Sequence, residues 1–206
     1  MINPAFTRFP EEANLLGQLV LGYGELDISF ALMAGMAIGK QFEVLHAVHQ
    51  VRSETARLDI AHALSSKAFS SLGLKDDYVE AKSAVKHCLK IRNQYAHCHW
   101  ADLHVLGLGF INVEGDYFAK AEPRFFKGVT VKLLQEQEAF FEYARHCVLT
   151  VQANIGPLRA NLPRAYDMRP KKPLPNMHSP LPIQGPAHKQ TTPRSPPKGQ
   201  SEAPDE

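Results

Sequence analysis

Between residues 88 and 100 the chain reads CLKIRNQYAHCHW. Arg92, Asn93 and His97 in this stretch are residue types that cleave a phosphodiester without a metal. Such a reaction needs a proton acceptor or donor beside the 2′-hydroxyl and the leaving oxygen, and histidine titrates in the right range. It also needs a fixed cation for the charge that develops on phosphorus, and the planar fork of arginine donates to two phosphate oxygens. Asparagine orients the phosphate or the imidazole. On a helix Asn93 and His97 share one face, four residues apart. Arg92 is offset from His97 by about 140°, and its long side chain reaches round the helix end. Spacing alone leaves a structural alternative open. Arg92 can pair with an acid such as Glu25, Asp27 or Asp102, Asn93 can bond backbone, and His97 can cap the last carbonyls.

Metal chemistry fits the same region less well. His87-Cys88, His97-Cys98-His99 and His146-Cys147 supply imidazoles and thiols. Zinc sites use ligand pairs two to four residues apart, and neighbours on a helix point about 100° apart. Only His97 and His99 have a tolerable separation, so the expectation is no metal and no cofactor. Cys88, Cys98 and Cys147 are an odd number without a CxxC pair, read as buried thiols in a reducing compartment. His46, His49, His62 and His104 bear no regular relation to one another. Gly107 and Gly109 make no phosphate loop, because no helix starts there with the required spacing.

The elements that must hold these groups are mostly helical. Leu15, Leu19, Tyr23, Leu26, Phe30, Met33 and Ala37 recur at three- and four-residue steps, predicting a helix over residues 11–38 that stops at Gly39. Glu25 and Asp27 interrupt its apolar run. A carboxylate pointing into the bundle needs a cation, and Arg92 is the obvious candidate, which makes Glu25 and Asp27 its expected structural support. A second helix is expected over residues 42–72, ending at Gly73. A third starts near Asp76 and Asp77, whose charges suit a helix N-terminus, and runs to about His97. Residues 103–113 (LHVLGLGFINV) favour a strand, Glu114-Gly115-Asp116 a turn, and residues 117–119 a return strand. A last helix begins at Val131 behind a Thr130 N-cap and ends by Gly156-Pro157. The fold class expected is therefore mainly α: a four-helix up-and-down bundle with a small β-hairpin before the last helix, over residues 1–160. Residues 161–206 are proline-rich and basic, and almost free of large apolar side chains after Ile183. Such a tail is expected to be disordered or extended.

The 206 residues, 44% hydrophobic and 21% charged with net charge +2, have the make-up of a globular protein. The net charge does not by itself point to nucleic acid. Glu25 and Asp27 in the most apolar window oppose membrane insertion by about 2.5–3.5 kcal/mol each. The first residues, MINPAFTRFPEEANLL, lack a basic segment followed by an apolar core. A cytoplasmic location without a membrane partner is expected.

The segment Arg92-Asn93-x-x-Ala96-His97, closing a long helix of an all-α domain, resembles the RNxxxH signature of the HEPN superfamily. The resemblance spans residues 11–158 as architecture and is specific over six residues. It implies a metal-independent endoribonuclease with a toxin or phage-defence role, working as a homodimer with both motifs in one cleft on the two-fold axis. On that basis Arg92 binds the scissile phosphate, Asn93 is the polar position after it, and His97 is the acid–base residue. The products carry a 2′,3′-cyclic phosphate and a 5′-hydroxyl. Tyr95, His99 and Trp100 are the expected substrate-binding residues, with Tyr95 and Trp100 stacking a base; packing of Trp100 on the hairpin is the alternative. RNA is the expected substrate or ligand, and an antitoxin or regulatory protein the expected partner. The same resemblance admits a non-catalytic module that binds nucleotide, RNA or protein.

Overall fold

The computed structural model describes residues 3–112, 126–165 and 167–173. Among these the chain is mainly helical, with one small antiparallel sheet. In chain order the helices are α1 (Ala5–Arg8), α2 (Pro10–Ile38), α3 (Gln41–His49), α4 (Glu54–Ser71), α5 (Lys75–Ala96) and α6 (Val131–Arg159). The strands β1 (Cys98–Asp102), β2 (Leu108–Asn112) and β3 (Lys127–Val129) lie between α5 and α6.

The first helical stripe forms as its spacing predicts. Leu15, Leu19, Tyr23, Leu26, Phe30, Met33 and Ala37 are all buried, and α2 packs against α4, α5 and α6. Pro10 opens α2, with Glu11 and Glu12 in its first turn, where a fixed φ and negative charge suit the unbonded N–H groups. Gly39 closes it in the left-handed conformation at φ 72°. Gly35 is needed for space: a Cβ there would stand 2.5 Å from the Cα of Gln41, where the chain turns back into α3. By length and composition α2 could cross a membrane, and half of its most apolar window is buried inside the protein.

Where one helix over residues 42–72 is expected, two form. Ser53 adopts an extended conformation and its hydroxyl accepts from the Ala56 N–H at 3.3 Å. It therefore acts as an N-cap that starts α4 afresh. The break turns Arg57 toward α2, and its Nε donates to the Val51 carbonyl at 2.7 Å. α4 then ends at Ser71, with Gly73 at φ 69°.

The sheet is also built differently from the expected hairpin. Residues 98–102 form the first strand, paired with β2 so that Trp100 faces Phe110 and His99 faces Ile111. The turn falls at 103–107, where His104–Leu106 make a 3-10 turn and Gly107 has φ 89°. Val105, read as a strand residue, is 97% exposed on that turn. β2 pairs on its other side with β3, Gly109 opposite Gly128. The expected turn at residues 114–116 and return strand at 117–119 lie outside the described residues. Leu108, Phe110 and Val129 bury the inner face of the sheet.

α6 starts where expected, the Thr130 hydroxyl accepting from the Leu133 N–H at 3.2 Å, but continues through Pro157 to Arg159. Proline in the final turn removes only one bond, and Arg159 Nη2 donates to the Ala37 carbonyl at 2.7 Å, tying this end to the end of α2. Beyond it, residues 162–165 and 167–173 contain no helix or strand, yet they are fastened to the helices. Arg164 pairs with Asp77 at 2.9 Å, and Arg169 pairs with Asp77, Glu80 and Asp167. The backbone N–H groups of Ala165 and Met168 donate to Asn154 Oδ1 and Thr150 Oγ1.

Candidate functional site

Arg92, Asn93 and His97 all lie on the last turns of α5 or at its end. Val85, Leu89 and Ile91 bury the inner face of this helix, which leaves Asn93 and His97 on the exposed side. His97 is the C-cap, and no hydrogen bond or ion pair to another described residue holds its imidazole. Arg92 is mostly covered, with 22% of its side chain exposed. Its Nη1 donates to Asn93 Oδ1 at 2.8 Å, and its Nη2 lies 3.1 Å from Oε1 of Glu54, the first residue of α4. Arg92 Nε is buried without a partner among the described residues.

Arg92 is thus not supported by the acids expected from the sequence. Asp27 is buried and faces α4: its Oδ2 lies 2.8 Å from Arg57 Nη1 and 3.5 Å from His49 Nε2. Glu25 is exposed and lines a groove of about 740 Å³ between α2 and α6, along with Glu138, Glu142 and Arg145. Asp102 pairs with Arg8 at 2.7 Å and accepts from the His104 N–H. The expectation fails because the split second helix brings Ser53, Glu54 and Arg57 to positions a continuous helix would not give them.

Tyr95 is a core residue. It is 3% exposed, its hydroxyl donates to Gln137 Oε1 at 2.8 Å, and Gln137 is fully buried. Burial pushes its hydroxyl well above the ordinary tyrosine range, so it stays protonated and a donor. Its ring meets Phe110 edge-on at 5.4 Å and Trp100 at 5.7 Å. With these contacts and 3% exposure it presents only an edge to the apolar groove beside Trp100, too little for a base to stack on. Trp100 also packs against Phe110 and Phe6, at 5.1 and 5.7 Å, as the hairpin-packing alternative expects. It remains half-buried between two grooves. One, about 410 Å³, is lined by Asn3, His99 and Asp102; the other, about 400 Å³, is apolar and lined by Phe6, Leu16, Val20 and Leu21. Arg92, Asn93 and His97 line neither. His99 is exposed on β1.

The thiols are turned away from solvent chemistry. Cys88 and Cys147 are buried, and desolvation raises both pKa values, which suppresses the reactive thiolate. Cys98 donates to the Gln94 carbonyl. Among the described residues no group of three or more His, Cys, Asp or Glu side chains is arranged to hold a metal ion.

Glu54 and Arg57 are residues that the sequence did not single out, and Tyr23 figured only in the apolar stripe of α2. The Tyr23 hydroxyl is buried without a partner among the described residues. Its pKa is raised, first by desolvation and then by the negative charges of Asp27 and Glu54. The Ser53-Glu54 pair was the available signal, since serine before an acidic residue marks a helix start. No family model matches the chain, and neither a curated protein nor a solved structure matches it.

Proposed function

We propose that the chain is a metal-independent endoribonuclease of the HEPN type, acting as a homodimer. In this reading it belongs to the four-helix bundles of that superfamily, with a toxin or phage-defence role. The observation that carries it is the state of the motif at the end of α5. His97 is exposed with its imidazole unengaged by any other described residue, and Asn93 holds one arm of the Arg92 guanidinium at 2.8 Å. A histidine free of structural duties beside a positioned arginine suits acid–base work on a phosphodiester.

The reaction is a transesterification. His97 takes the proton of the 2′-hydroxyl, the 2′-oxygen bonds to phosphorus, and the 5′-oxygen leaves with a proton. The products are a 2′,3′-cyclic phosphate and a 5′-hydroxyl. Arg92 neutralises the phosphate oxygens during the transfer. A two-fold dimer supplies a second His97 as the acid.

A second reading, a non-catalytic module for RNA or protein, has its own support. The Glu54 contact opposes the charge of Arg92, and the net charge of the chain is only +2. Incubating a mixed RNA pool with the full chain in EDTA, beside His97→Ala, separates the two. Cyclic-phosphate ends that vanish in a folded His97→Ala protein support the enzyme. Absence of cleavage by the folded dimer favours the binding module, and a monomer at micromolar concentration argues against a composite site.

A further inference from the structure

The two partly buried arginines that face α4 and α2 are engaged differently. Arg57 has the pattern of a structural cation: Nε on the Val51 carbonyl at 2.7 Å and Nη1 on Asp27 at 2.8 Å. Arg92 has a looser arrangement. Glu54 contacts it through one oxygen on Nη2, Asn93 takes Nη1, and Nε is buried with no acceptor among the described residues. An arginine fork reaches full strength when a carboxylate or phosphate takes two parallel N–H groups. Neither acceptor at Arg92 does so.

We infer that Glu54 is an internal competitor for phosphate at Arg92: its carboxylate holds the face of the guanidinium that a backbone phosphate must take, and RNA binds by displacing it. This inference rests on the ribonuclease reading for the identity of the ligand, though not for the competition itself. Three features fit it. Arg92 Nε is buried, so two-point recognition through it requires Arg92 to swing away from Glu54. The pair is only partly covered, with 22% of Arg92 and 26% of Glu54 exposed, so a ligand can approach it. The surroundings are also incompletely satisfied, because Tyr23 hydroxyl and Arg92 Nε are both buried donors without partners among the described residues. Unmade bonds of this kind penalise the resting arrangement and lower the cost of leaving it. Glu54 is a positioning residue in this scheme, acting through Arg92.

The test uses the full chain as wild type, Glu54→Gln, Glu54→Asp and Glu54→Gln/Arg92→Ala. Inorganic phosphate is titrated first, following the Arg92 Nε–H resonance by NMR in the wild type and the melting temperature in all four. A short oligouridylate is then used for KM and kcat. The expected result is phosphate binding about three- to tenfold tighter in Glu54→Gln. The gain should be absent when Arg92 is also removed, and Glu54→Asp should return toward the wild type. KM for RNA should fall by a similar factor with kcat within about twofold. A merely structural Glu54 would change stability without this split. Unchanged phosphate affinity in Glu54→Gln, or a gain that persists without Arg92, overturns the inference. If Glu54→Gln does not fold, a wild-type Arg92 resonance indifferent to phosphate overturns it equally. If the phosphate pattern holds while no variant cleaves RNA, the ribonuclease reading fails and the competition stands. If the wild type cleaves RNA and Glu54→Gln has unchanged KM and phosphate affinity, the reverse is true.

Discussion

Asp27 in α2 pairs with Arg57 in α4, Oδ2 to Nη1 at 2.8 Å, and leaves Arg92 in α5 to Glu54. This division of partners separates the arginine that holds the helices together from the arginine proposed to meet RNA. Asp27 is 5% exposed, and Arg57 is its nearest cation, with His49 Nε2 at 3.5 Å.

Arg57→Ala should therefore be among the most damaging single changes outside the apolar core. Removing one partner of a buried pair leaves the other charge uncompensated, at about 3–5 kcal/mol. Urea unfolding should show this loss, and Asp27→Asn with Arg57→Met should recover most of it. A loss below about 1 kcal/mol in Arg57→Ala would mean that His49 or water carries the charge of Asp27.

Tyr95→Phe tests the assignment of that residue to the core. Deleting the hydroxyl takes a 2.8 Å bond from the buried Gln137 side chain and should cost about 1–3 kcal/mol. Cleavage of RNA by the protein that remains folded should be unchanged. A drop in kcat at unchanged stability would return Tyr95 to the substrate.

Truncation after Asn161 should lower the melting temperature. Composition alone assigns residues beyond this point to a tail that is dispensable for stability. The ion pairs of Arg164 and Arg169 with Asp77 and Glu80, and the two backbone bonds to α6, predict otherwise. For a protein of this size each kcal/mol lost shifts the midpoint by about 2–4 °C. Part of the loss should disappear in high salt, since these pairs are partly exposed. An unchanged midpoint would show that the segment contributes nothing to stability.

Stability should fall with acidity in two stages. Burial depresses His62 and His87, with the charges of Lys82 and Lys90 acting in the same sense. A histidine whose folded pKa is depressed binds fewer protons folded than unfolded. Its stabilising effect is complete above the unfolded value of about 6.5 and is lost as pH falls from there through the folded value. Below about 4.5 the carboxylates add to the loss. Glu80 is held down by the Tyr143 hydroxyl, and Asp167 by Arg169 to about 2. His62 Nδ1 lies 3.0 Å from the Tyr78 hydroxyl, which burial pushes up to about 12 and so keeps as a donor. His62→Gln should flatten the decline between pH 6.5 and 5 in urea unfolding measured across that range. An unaltered slope would remove His62 as a source.

Periodicity and end signals were enough to determine the helical class, the buried stripe of α2, the glycine stops at Gly39 and Gly73, and the Thr130 cap. These features depend on local chemistry: backbone conformation at glycine, a hydroxyl bonding an N–H three residues on, and apolar side chains repeating on one helical face. The sequence also brought Arg92, Asn93 and His97 to the end of one helix, because their spacing is local. The partners of those residues were decided by the tertiary structure. Ser53 restarts the chain as α4 and carries Glu54 to Arg92 and Arg57 to Asp27, across separations of 38 and 30 residues. Tyr95 meets Gln137 from 42 residues away, and Trp100 meets Phe6 and Phe110 because 98–102 is a strand in a sheet. Long-range pairing follows from which faces meet when the helices pack, and one unanticipated break in a helix changes those faces for every residue after it.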